Sequence, residues 1–142
     1  MRALIGFSLL LIVGCSQLPL ESKHELKMSS LIGTWCTLAP DGLTCIDHHE
    51  YLQNMTIRSC SIDSLYNKHV LSSATVRLAG KTICLKVTES NEKTATPIGY
   101  EFCFDVLEIE PNFIKYRAIP GGEVFLDKRI SADSPQCPLL SN

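Results

Sequence analysis

The segment CIDHHE, residues 45–50, holds the densest group of chemically active side chains in the sequence: Cys45, Asp47, His48, His49 and Glu50. Metal binding would need several of them to converge on one point. Neighbouring histidines in an extended chain project to opposite faces, and the helical HExxH spacing is missing. A thiolate at Cys45 would also have to be free rather than oxidised. The segment therefore reads as a polar loop without a metal. To hold one, His48 or His49 would need a remote partner such as His69.

Nucleophilic chemistry is no better supported. Ser59, Ser61, Asp63 and His69 lie close in sequence, but a triad is defined by geometry in space, not by spacing. The chain has no GxSxG elbow and no glycine-rich phosphate loop. Glu108 and Glu110 share a strand face but adjoin the Glu110-Pro111-Asn112 turn, and they read as solvated. Asn54-Met55-Thr56 fits the glycosylation pattern and reads as plain strand. No catalytic residue, no metal and no cofactor is expected.

Seven cysteines in 142 residues point to an oxidising compartment, where disulfides support a modest core. The odd count leaves one to explain. The stretch LLLIVGCSQ, residues 9–17, supplies the explanation. Met1-Arg2 is a short positive start and Ala3 to Val13 an apolar run, too short to span a bilayer and suited to a signal-peptide core. Ile12-Val13-Gly14-Cys15 resembles the lipobox of bacterial lipoproteins. The resemblance implies a signal peptide over 1–14, a diacylglycerol on the Cys15 thiol and an acylated (palmitate-type) new amine. Several acyl chains make a durable anchor. In that family the residue after the cysteine guides sorting. Ser16 implies the outer membrane, facing the periplasm or the cell surface.

Cleavage removes Arg2, and acylation of Cys15 leaves six cysteines for disulfides: Cys36, Cys45, Cys60, Cys84, Cys103 and Cys137. Charged residues make up 20% of the chain and hydrophobic ones 45%, an ordinary globular balance. The formal net charge of −2 lacks the basic excess of a nucleic-acid binder.

The elements that must position these residues are strands. Residues 15–30 read as a lipidated start and a flexible tether reaching roughly 20 Å, residues 31–130 as a β domain, and 131–142 as a C-terminal coil. Seven strands are expected, at 31–38, 49–60, 73–79, 81–89, 99–110, 113–119 and 123–130, from alternation such as Ile83/Leu85/Val87, Phe102/Phe104/Val106 and Val124/Leu126. Residues 61–72 read as a loop or short helix. Turn signals at 39–42, 78–81, 110–112 and 120–122 favour an antiparallel meander.

One hairpin can be read in register. Pairing 81–89 with 99–109 symmetrically sets Cys84 opposite Cys103, Ile83 opposite Phe104, Leu85 opposite Phe102, Val87 opposite Tyr100 and Lys86 opposite Glu101. Apolar meets apolar and charge meets opposite charge, so a Cys84–Cys103 disulfide is expected. Cys36 and Cys45 are symmetric about Ala39-Pro40-Asp41-Gly42 and could close a second hairpin, its register shifted if a bulge follows Gly42. Cys60–Cys137 would then pin the tail, although six cysteines allow fifteen connectivities.

LIGTWC, residues 31–36, resembles the G-x-W signature of lipocalin-like barrels and of several small lipoprotein families. The resemblance implies an all-β, disulfide-stapled domain: a lipocalin-like barrel, or a half-barrel or sandwich, with Trp35 plugging the closed end. Trp35, Leu85, Val87, Phe102 and Phe104 are the candidate ligand-pocket residues. The expected function is a non-catalytic binding module for an envelope protein or a small apolar ligand. The alternatives are an assembly accessory of an envelope complex and, third, an envelope hydrolase.

Overall fold

Alternation of inward and outward side chains along extended segments shapes the chain, and the computed structural model describes residues 25–63 and 68–131. A short helix α1 (Met28–Leu31) precedes β1 (Gly33–Leu38), β2 (Cys45–Leu52), β3 (Thr56–Asp63), β4 (Lys68–Ala79), β5 (Thr82–Ser90), β6 (Glu101–Glu110), β7 (Phe113–Ile119) and β8 (Val124–Arg129). Each strand pairs antiparallel with the next, and β8 pairs with β1, which closes the sheet into an eight-stranded barrel. Closure removes every unpaired strand edge. An eight-stranded barrel is wide enough to enclose side chains or one small ligand.

The sequence expectation of one strand over 49–60 is corrected. That segment is the end of β2, a turn at 53–55 and most of β3. Met55 makes the turn with φ of 60°, a backbone state rare for a non-glycine residue, so neither glycine nor proline marks the reversal. Residues 45–50 are strand, not loop, and much of 61–72 is strand as well, so there are eight strands rather than seven. Residues 25–30 belong to the folded domain rather than to a tether. Leu26 and Leu31 are buried in the core, and the Leu26 amide donates to the Gly80 carbonyl. Expectations for Cys15, for residues 16–24 and for the tail from 132 onward with Cys137 lie outside the described residues.

The β5–β6 register is the one read from the sequence, with Cys84 opposite Cys103 and the two joined as a disulfide. At its end the Val87 amide donates to the Tyr100 carbonyl at 2.9 Å. Cys36 and Cys45 are also bonded, with Cα atoms 5.6 Å apart. A bulge does follow Gly42, within β2, where Leu38 pairs with Cys45 and Thr37 with Asp47, leaving Ile46 as the extra residue. The extra residue re-aims the strand, so that Asp47, His49 and Tyr51 all face the interior. Cys60 is disulfide-bonded too.

The two ends of the barrel differ. The turns at 53–55, 80–81 and 111–112 gather at the end covered by α1. Trp35, with no solvent exposure, seals that end, its indole Nε1 donating to the Leu31 carbonyl at 2.6 Å. Arg129 pairs with Trp35 across the β1–β8 seam and lies 4.0 Å from the ring centroid. Its guanidinium also donates to the carbonyls of Ile32 (2.7 Å), Ser30 (3.2 Å) and Pro111 (2.6 Å). One cation thus ties the plug, the incoming chain and a turn together. Gly33 is required beneath it, because a Cβ there would run into the guanidinium and φ is 123°. The longer connections, including 91–100, lie at the opposite end, where Asn91 fastens that loop to β4 through the backbone of Leu71 and His69.

Candidate functional site

Between the Trp35 plug and the longer loops the barrel encloses a cavity of about 240 Å³. Its apolar wall comes from β5 and β6: Ile83, Leu85, Phe102 and Phe104, joined by Ile114, Tyr116 and Tyr100. The aromatic rings form a connected row. Phe102 and Phe104 meet edge to face at 5.6 Å, and Phe104 and Tyr116 at 5.0 Å. Phe102 and Phe104 remain partly exposed because they border a void rather than a filled core. Ala95 and Thr96 of the 91–100 loop complete the lining at the mouth.

Leu85, Phe102 and Phe104 therefore line the cavity, as the alternation predicts. Trp35 and Val87 do not. Trp35 is committed to the closed end, and Val87 is buried against Ala74 on the neighbouring strand. Val124 and Leu126, whose alternation resembled a core face, point to solvent. The inward residues of β8 are Phe125, Asp127 and Arg129, two of them charged.

The opposite wall is polar. Asp127, 1% exposed, accepts from the Thr37 hydroxyl and the Tyr116 hydroxyl at one oxygen, each at 2.8 Å, and pairs with His49 Nε2 at 2.9 Å through the other. Burial alone would push the His49 pKa down. The Asp127 charge and hydrogen bond, with help from Asp47, outweigh burial and raise it, so the imidazolium is favoured. Burial and the nearby carboxylates push the phenols of Tyr51 and Tyr116 upward, keeping both neutral.

Asp47 stands apart from this satisfied group. It lines the cavity, and its Oδ1 is shut off from solvent with no hydrogen-bond partner among the described residues. Desolvation is the main cause that pushes its pKa up to about 6. Asp127 adds to the rise, and His49 and the His48 backbone amide oppose it. Ser59, Ser61 and Ser72 from β3 and β4 also face the cavity. Among the described residues no lysine or arginine lines it.

The histidine pair separates as adjacent strand residues must. His49 is inside, while His48 lies against the Cys45 sulfur, Nε2 at 3.1 Å. Cys36, Cys45 and His48 come within metal-ligand distance of one another, but both sulfurs are spent in a disulfide. His69 lies near the Cys60 sulfur, 3.8 Å away, and does not line the cavity; the histidine that shares the cavity with Ser59 and Ser61 is His49, paired with Ser59 across β2 and β3. Glu108 and Glu110 are exposed.

The polar half of this site was missed in the sequence. Asp47, His49, Asp127 and Tyr116 come from β2, β7 and β8, and nothing in local spacing joins them. The available signal was the alternation Asp47/His49/Tyr51 itself, whose inward positions are polar and so read as loop.

Together these features define a class: an all-β, closed, eight-stranded up-and-down barrel with one plugged end and an interior cavity. Comparison with solved structures gives the same fold. A lipocalin-like protein from Bacteroides uniformis superposes with a TM-score of 0.51 at 11% identity, over 71% of this chain and 99% of that one. An uncharacterized protein from Bacteroides eggerthii gives 0.48 at 12% identity, over 70% and 99%. The likeness is one of fold. No protein-family model and no curated protein matches the sequence.

Proposed function

We propose that this chain is a lipoprotein, acylated at Cys15 and held at the outer membrane facing the periplasm, whose barrel binds a small, largely apolar ligand without catalysing a reaction. The observation that carries the reading is the interior cavity, with Phe102, Phe104, Ile83 and Leu85 turned toward it. Apolar and aromatic surface facing a void lacks packing partners, and an occupant restores them. At about 240 Å³ the cavity is below the usual range of roughly 300–1,000 Å³ for drug-sized ligands. Its occupant is correspondingly small.

Native mass spectrometry tests the reading. The protein is produced in a bacterial periplasm with Cys15→Ser, so that no acyl chain competes for the cavity. An adduct is expected that survives in the native spectrum and leaves on denaturation. A clean apo mass after gentle purification would overturn ligand carriage and shift the function to docking on an envelope protein.

A further inference from the structure

The polar wall does more than tolerate water. Asp127 and His49 neutralise each other, and Asp127 is further satisfied by Thr37 and Tyr116. Asp47 is left over. Its Oδ1 is buried without a partner, faces the cavity, and has no lysine or arginine among the described lining residues to answer it. An unpaired buried acceptor is costly, and such a group in an otherwise satisfied site marks a missing partner. The surplus charge of the lining is one negative unit, and the lining also holds the aromatic rings of Tyr100, Phe102 and Phe104. Aromatic faces favour cations as well as apolar bodies.

We propose that the cavity takes a small ammonium-bearing ligand, its N–H group donating to Asp47 and its apolar body lying against Phe102 and Phe104. The inference rests on the ligand-carrier reading above and specifies its substrate class. A ligand anion would face Asp47 without compensation. A neutral isostere of the same shape would fill the aromatic wall and offer the carboxylate only a hydroxyl hydrogen bond without the opposite charge. Charge-assisted hydrogen bonds separate the cation from its neutral isostere by roughly ten- to a hundredfold in affinity.

Calorimetric titration of the Cys15→Ser protein with phenethylamine, 2-phenylethanol and 3-phenylpropionate isolates charge at nearly constant shape. The amine is expected to bind at least tenfold more tightly than the alcohol, with the carboxylate weakest. In Asp47→Asn the amine should fall to the level of the alcohol, while alcohol binding is retained and reports an intact cavity. Equal affinity of amine and alcohol in the unmodified cavity, or preference for the carboxylate, would overturn the ammonium assignment and leave the carrier reading standing. Failure of all three probes would overturn the ammonium assignment, and the native mass spectrum then decides the carrier reading by itself. The comparison among probes needs no variant, so a poorly folded Asp47→Asn would not blunt it.

Discussion

Asp47 sets a conflict between stability and binding at the scale of a single carboxyl group. Its pKa is pushed up to about 6 in the folded chain, against roughly 3.9 in an unfolded one. The folded state therefore holds this proton more tightly. Stability from that preference is complete below about pH 4 and is lost as pH rises through about 6, costing about 3 kcal/mol at most by pH 8. Asp47→Asn removes the ionisation. Urea denaturation should show the variant and the native chain equally stable at pH 4, with the variant gaining up to about 3 kcal/mol at pH 8. A pH-independent difference would refute the desolvation argument. His49 has the opposite balance of causes but a compatible direction. Its raised pKa means that the stabilisation from the Asp127 pair is present below about pH 6.5 and is lost as the imidazolium deprotonates at higher pH.

At the scale of elements, the closed end of the barrel depends on one seam. β1 and β8 are the first and last strands, and their pairing joins Trp35 to Arg129 and Thr37 to Asp127. The seam is therefore both the structural closure and the anchor of the polar wall. Gly33→Ala would place a methyl group against the Arg129 guanidinium in a backbone state that side chains disfavour. The guanidinium would have to shift, and its Nη1 bond to the Ile32 carbonyl is the contact displaced most directly. A loss of about 2–4 kcal/mol is expected in denaturant unfolding. Arg129→Lys should lose a comparable amount, since an ammonium cannot stack and fork in the same way. A loss below about 0.5 kcal/mol in both, the range of an ordinary surface substitution, would show that the plug holds without the cation.

At the scale of the whole molecule, the proposed anchor and the barrel make separable demands. The described domain starts with residues that pack onto the plugged end, where Leu26 and Leu31 enter the core. A lipid attached at Cys15 would thus connect to the closed end, leaving the mouth at 91–100 on the far side. Cys15→Ser should move the protein from the membrane fraction to the soluble periplasmic fraction without altering its thermal midpoint. Retention of the variant with membranes would refute acylation at Cys15 as the anchor.

Residues whose partners are local or symmetric were legible in the sequence. Leu85, Phe102, Phe104 and the opposed Cys84 and Cys103 follow from a period of two and a matching register, and the all-β class follows from the repetition of such runs. The β2–β3 turn was hidden because Met55, rather than a glycine, takes the left-handed state. The polar wall was hidden for a deeper reason. Barrel interiors are usually apolar, so Asp47/His49 and Asp127/Arg129 reverse the expected alternation while Val124 and Leu126 face water. Local breaks of this kind concentrate where a protein binds or reacts. The sequence alone determined that the chain makes strands and where most of them lie. The tertiary structure decided that eight of them close, and that closure brings Asp127 from the last strand beside His49 from the second. Only a closed sheet gives its first and last strands a shared interior, so only closure could leave Asp47 facing a cavity without a partner.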